Sequence, residues 1–223
     1  MQAVVLAGGL SRRLGGTPKA GLILHGQTLL ARTVDAAAQL LEVHEALAAT
    51  AGVPQGTGPR IAVVGPAAQL DLWLGDARSR PQLTVVQEDP PHSGPAAGIA
   101  AGLSVLPDRR GRVLVLACDM PRAAELLTVL FGALEGLAGD AGVIAVDAGR
   151  AQPLAAIYPE GALRSAVAKA REAHRLQNAS VFSLLANVLL KDCPVPEGLA
   201  ADIDTWDDAR AQGLAPGPAT AEG

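Results

Sequence analysis

The sequence predicts a three-layer α/β/α domain built on a mostly parallel sheet, and three observations carry that prediction. Short β-branched runs alternate with Ala/Leu-rich stretches of helical length, the pattern of strand–helix–strand units joined by right-handed crossovers. Aromatic residues make up only 2% of the chain, so its core is to be filled by Ala, Val and Leu, as in parallel strands covered on both faces by helices. A length of 223 residues suits one well-filled α/β domain and is short for two.

In chain order, the first strand is the run Ala-Val-Val-Leu-Ala at 3–7, followed by an Ala/Leu-rich helix at 28–41. A stretch at 50–59, rich in Gly, Pro and Thr, reads as a surface loop. Strands follow at 60–64 and 82–87, then a helix at 94–105 opened by Gly94 and Pro95. A strand at 112–117, a helix at 122–137 and a strand at 142–146 continue the alternation. Pro153 cannot donate to a ladder, so 150–158 reads as a short edge strand or hairpin arm. Helices at 161–171 and 180–190 complete the domain, expected to span 1–210 without an internal repeat. Residues 211–223 are too poor in large apolar side chains to order themselves.

A formal net charge of −4 and the scarcity of aromatics argue against DNA, RNA or an anionic membrane as partner. Yet the first 34 residues carry Arg12, Arg13, Lys19 and Arg32 and no Asp or Glu, a local cationic site suited to a small polyanion. No signal peptide or apolar run of membrane-spanning length is visible, and two cysteines, Cys118 and Cys193, allow at most one bridge. A reduced, cytoplasmic setting is expected, with the chain a monomer or weak homo-oligomer.

The sharpest feature is the segment Leu6-Ala7-Gly8-Gly9-Leu10-Ser11-Arg12-Arg13-Leu14-Gly15-Gly16-Thr17-Pro18-Lys19, directly after the first strand. Its glycines allow backbone N–H groups to line a concavity for an anion. Arg13 can grip two phosphate oxygens at once, and Lys19 acts as a flexible point charge. The spacing is neither that of a P-loop nor that of a dinucleotide-binding fingerprint.

This loop resembles the molybdenum cofactor guanylyltransferase group of nucleotidyltransferases, whose signature reads Leu-Ala-Gly-Gly-x-x-x-Arg-Met-Gly-x-x-x-Lys. Leu6, Ala7, Gly8, Gly9, Arg13, Gly15 and Lys19 meet it, with Leu14 in place of Met and Pro18 in place of a frequent acid. The resemblance implies a Rossmann-like nucleotidyltransferase fold, with Leu6, Ala7 and Gly8 at the base and sugar and Arg13 and Lys19 on the phosphates.

Asp119 follows the apolar run of the 112–117 strand, where open α/β sheets bind ligands, and reads either as a Mg²⁺ ligand or as an N-cap for the next helix. The resembled family places its magnesium-binding Asp in this motif. Asp89 precedes Pro90-Pro91 and is either a turn residue or, by resemblance, a nucleotide-contacting acid. Gly94 and Gly98 match the family's Gly-Pro-Leu-Ala-Gly rim. Asp202 and Asp204 stand where the family has Asn-x-Asn, an acceptor-contacting segment. Alternation on an extended strand would point both acids one way, so they either share a metal or form a solvated edge and an N-cap. Gly65 replaces the Asn that the resembled enzymes carry after the second strand, which leaves the base open. Gln152-Pro153-Leu154-Ala155 is similar to a family segment and equally ordinary edge structure.

His25, His44, His92 and His174 are scattered without metal-ligand spacing, and Cys118 has no paired base to make it a nucleophile. The resemblance implies transfer of NMP, with GMP from GTP and Mg²⁺ as the first reading, to the phosphate of molybdopterin with release of pyrophosphate. The alternatives are cytidylyl or guanylyl transfer to another phosphorylated acceptor, and an idle nucleotide-binding partner in cofactor assembly.

Overall fold

The computed structural model describes residues 1–9, 11–50, 52, 58, 60–75, 77–138 and 141–217. Strand β1 (Gln2–Leu6) is wholly buried and leads into the Gly-rich loop, whose described part holds two short 3-10 turns, Arg12–Leu14 and Lys19–Gly21. A two-stranded ribbon, β2 (Ile23–Leu24) and β3 (Gln27–Thr28), precedes helix α1 (Leu29–Thr50). Then come β4 (Ile61–Val64), α2 (Ala67–Trp73), β5 (Leu83–Val86), α3 (Pro95–Val105) and β6 (Arg112–Ala117). Helix α4 (Ala123–Gly132), the hairpin β7 (Gly142–Asp147) and β8 (Arg150–Pro159), α5 (Glu160–Glu172), α6 (Val181–Leu185), β9 (Leu190–Pro194) and α7 (Trp206–Ala211) finish the chain.

Seven strands form one sheet in the order β5-β4-β1-β6-β8-β7-β9. Only β8 runs against its neighbours β6 and β7, while the β1, β4, β5, β6 and β7–β9 pairings are parallel. The three-layer, mostly parallel expectation therefore holds. Strand alternation sends Val4 and Leu6 to one face, with Ile99 and Leu103 of α3 and Leu163 of α5. Ala3 and Val5 go to the other, with Leu30, Val34 and Leu41 of α1 and Leu126 and Leu130 of α4.

Helix α3 comes close to β1 because Gly102 carries no side chain: a Cβ there would lie 2.6 Å from Val4 Cγ1 and 3.2 Å from Val64 Cγ2. Gly102→Ala gains about 0.5–1 kcal/mol of helix propensity but overpacks a branched, fully buried strand residue, at about 1–3 kcal/mol. Overpacking wins, so a melting temperature lower by roughly 2–6 °C is expected in a thermal scan. A rise would mean that α3 can retreat from the sheet without loss.

Several elements differ from the sequence reading. Helix α1 runs nine residues past its expected end at 41, carried by Glu, Ala and Leu propensity although none of those residues is buried. The strand around Pro153 is a hairpin arm but not an edge, because it lies between β6 and β7. The ladder with β7 shifts register between Ile144 and Ala145, and Pro153 falls in that irregularity, where its missing N–H is tolerated. The apolar stretch read as helix to 190 divides into the short α6 and strand β9. The loop read at 50–59 lies outside the described residues except for 50, 52 and 58.

Residues 211–217, read as part of an unordered tail, have defined places. Leu214 is buried and Ala215 bridges to Ile23, while 218–223 lie outside the described residues. Leu214 joins a third apolar cluster with Leu14, Leu22, Leu24, Leu29 and Ile203, which ties the Gly-rich loop to the C-terminal segment. Leu14, at the position where the resembled signature has Met, is only 1% exposed there. Among the described residues, no helix is long and apolar enough to cross a membrane.

Candidate active site

Parallel strands β1, β4 and β6 end on the same side of the sheet, and over those ends opens a cavity of about 570 Å³, within the range of small-molecule sites. Leu6, Ala7, Gly8, Gly9, Arg13, Lys19, Gly94, Gly98, Asp119 and Asp204 all line it, ten of the thirteen residues singled out from sequence. Asp89, Gly65 and Asp202 are not on its wall.

Lys19 is the hub. Its Nζ donates to Asp119 Oδ2 at 2.9 Å and Asp204 Oδ1 at 2.8 Å, and lies 3.9 Å from Asp202 Oδ2. Arg13 Nη1 donates to the other oxygen of Asp204 at 2.5 Å, with 72% of its own side chain exposed. The short turn at Lys19–Gly21 sets the lysine, and Ser11 Oγ accepts its backbone N–H at 3.3 Å. Burial would lower the Lys19 pKa, but the carboxylates of Asp119 and Asp204 outweigh it and hold the ammonium above its usual range. For Asp119 burial dominates: it holds the carboxyl above its ordinary range against the pull of Lys19, and Asp202 adds to the shift. The hydrogen bond from Lys19 draws Asp204 below the usual carboxylate range.

Asp119 does not cap α4 and lies on the cavity wall. The residue at the cap position of α4 is Arg122, without a side-chain cap bond. Asp202 and Asp204 do not sit on a strand. They flank Ile203, whose side chain is 2% exposed and whose N–H donates to the Asp119 carbonyl at 3.1 Å, so both acids are left near Lys19. The N-cap of α7 is Thr205, closed by Asp208 in a capping box. Cys118 is buried and free, and burial pushes its thiol up, which suits packing rather than attack.

Residues beyond the sequence reading complete the wall. Glu88, not Asp89, faces the cavity, and its Oε1 accepts the backbone N–H of His92 at 3.0 Å. Both acids lie past the end of β5 at Val86, so strand alternation did not single out either one. His92, one of the four scattered histidines, also lines the site, as do Ser11 of the Gly-rich loop and Leu154 of the 152–155 segment. Asp147, at the end of β7, accepts the N–H groups of Gly198 at 2.9 Å and Ala200 at 2.8 Å and so fixes the stretch that leads to Asp202 and Asp204. Gly65 leaves the end of β4 with backbone only: its Cβ position is 3.3 Å from the Ala7 carbonyl carbon and from Leu70 Cδ2.

Among the described residues no group of three or more His, Cys, Asp or Glu is arranged to enclose a metal ion. Magnesium does not need such a cage, because it takes one or two carboxylates together with phosphate oxygens. Three carboxylates share one ammonium here, so the site has negative charge to spare.

Comparison with known proteins places the chain in a family. The family model described as MobA-like NTP transferase domain matches residues 3–187. The molybdenum cofactor guanylyltransferase of Acidiphilium cryptum is 33% identical over 163 residues, 73% of this chain and 68% of that one. That of Rhodopseudomonas palustris is 31% identical over 221 residues, 96% of this chain and 91% of that one. In fold, the chain is similar to a nucleotidyl transferase from Methanothermobacter thermautotroptrophicus, with a TM-score of 0.64, 20% identity and 95% of each chain covered.

Proposed function

Given that the chain belongs to the MobA-like NTP transferase family, we propose that it transfers GMP from GTP to the phosphate of molybdopterin, releasing pyrophosphate. The observation that carries this reading is the convergence of the Gly8–Gly9 backbone, Arg13, Lys19 and Asp119 on one cavity at the strand ends. The acceptor phosphate oxygen attacks the α-phosphorus, the bond to the β-phosphate oxygen breaks, and no protein nucleophile is required.

Positioning and charge then carry catalysis. Lys19 and Arg13 neutralise the departing pyrophosphate, which takes over the place that Asp204 holds on both cations. Gly94 and the first turn of α3, with Gly98 behind it, form the rim on which the acceptor is bound, with Asp204 on the same cavity wall and Asp202 two residues before it. Asp119 would hold Mg²⁺, with Asp204 available as a second carboxylate. The metal ion would neutralise phosphate charge and polarise the α-phosphoryl group.

Gly65 favours a second reading, cytidylyl transfer, because no side chain at the end of β4 reads the base. Melting the protein with GTP, CTP, ATP or UTP, each with and without Mg²⁺, tests both. A ligand at 100 times its Kd adds about 2.7 kcal/mol, or roughly 5–10 °C in a chain of this size. A magnesium-dependent shift with GTP and pyrophosphate release on addition of molybdopterin are expected. A shift with CTP alone would favour the second reading, and binding without turnover would favour an idle partner.

A further inference from the structure

We propose that Glu88 selects guanine, an assignment that rests on reading the cavity as a nucleotide site. The sheet order gives the cavity two ends. Asp119 follows β6 on one side of β1, and Glu88 follows β5 two strands away on the other. Three strand spacings of about 4.8 Å separate them, roughly 14 Å, a span that an extended nucleotide fills. Cations occupy the β6 end, where Lys19 meets Asp119 and Asp204, so the phosphates belong there and the base lies toward β5.

The β5 end has the surface a base needs. Leu6 and Val64 pair across β1 and β4, and both reach Gly98, whose Cβ position is 3.1 Å from Leu6 Cδ2 and 3.7 Å from Val64 Cγ1. Leu6 and Val64, which both line the cavity, make an apolar patch on its wall. Glu88 is the carboxylate lining this end, with Oε1 4.0 Å from the Cβ position of Gly8. Asp89, next in sequence, is exposed and off the wall.

The His92 N–H holds one oxygen of the carboxylate and uses one of its four lone-pair sites. Guanine presents two adjacent donors, N1–H and the 2-amino group, which match the two oxygens of a carboxylate. Adenine and cytosine set an acceptor beside their donor, and uracil sets acceptors on both sides. A fixed carboxylate therefore accepts guanine and repels the other three.

Binding of guanosine, inosine, xanthosine, adenosine and cytidine triphosphates to the full chain, E88Q and E88A tests the assignment by calorimetry. E88Q keeps an oxygen for the His92 N–H, so its loop is retained. The parent is expected to prefer guanosine over inosine triphosphate, which lacks the 2-amino group. Both variants should lose about ten- to a hundred-fold for guanosine triphosphate and little for the adenosine and cytidine forms. E88Q should gain for xanthosine triphosphate, whose 2-oxo group accepts from the amide. An equal loss for every triphosphate, an unchanged preference for guanosine, or a parent that prefers cytidine triphosphate overturns the role of Glu88. A parent that binds no triphosphate removes the nucleotide-site reading along with it.

Discussion

Asp119→Asn is expected to lower turnover on the order of 10³-fold while the unliganded protein melts no lower than the parent. The two halves of this result have one cause. Asp119 sits with Asp202 and Asp204 around the single ammonium of Lys19, in a setting buried enough to hold its carboxyl above the ordinary range. A folded-state pKa above the unfolded value means that the native protein favours the protonated form. The ionised form therefore costs stability at neutral pH, and the cost fades as pH falls toward the ordinary carboxylate value.

Asparagine is neutral at every pH, and it leaves Lys19 with Asp204 at 2.8 Å. The pH dependence of Asp204 has the opposite sign. Its pKa is lowered, so its contribution is present above the ordinary carboxylate value and is lost as pH falls through the folded one. Thermal scans from pH 3 to 8 on parent and variant, beside a pyrophosphate-release assay, separate the two acids. Activity within a few-fold of the parent would remove Asp119 from the chemistry. A melting temperature several degrees lower would show that its pairing with Lys19 outweighs the charge crowding.

Asp147→Ala should act at a distance and on both readouts. The carboxylate is 7% exposed and accepts two backbone N–H groups, at Gly198 and Ala200. Truncation leaves both donors without their partner, at about 2–3 kcal/mol in total, or roughly 4–10 °C of melting temperature. The freed stretch runs directly into Asp202 and Asp204, so turnover is expected to fall about ten-fold or more beyond what the unfolded fraction explains. Asn, with one acceptor oxygen, should recover part of both losses. Reduced stability with full turnover in the folded fraction would mean that the C-terminal acids can find Lys19 unaided.

The chemistry of the loop was legible because it is local: Gly8, Gly9, Arg13 and Lys19 lie within twelve residues, and Asp119 announces itself as an acid at the end of an apolar strand. Glu88 and Asp89 show the limit of that reading. The sequence pattern marks an acid here but not which of two neighbours turns inward, because both lie past the end of β5. Asp147 carries no such mark: in the structure it stands just before the hairpin turn of Ala148 and Gly149, both at positive φ. Its partners lie 51 and 53 residues on, and nothing local announces them. Likewise, Asp202 and Asp204 were legible as a pair, but their meeting with Lys19 depends on Ile203 entering a cluster with Leu14 and Leu214.

The hub at Lys19 also fixes when the site can exist. Its two closest carboxylates stand 100 and 185 residues further along the chain. At a synthesis rate of about 5–20 residues per second, Asp204 emerges roughly 10–40 s after the lysine it must meet. Through that interval the Gly-rich loop carries Arg13 and Lys19 without the aspartates that tether them in the finished fold. A nascent chain is thus a bare cationic loop first and a closed site only once its final helix has docked.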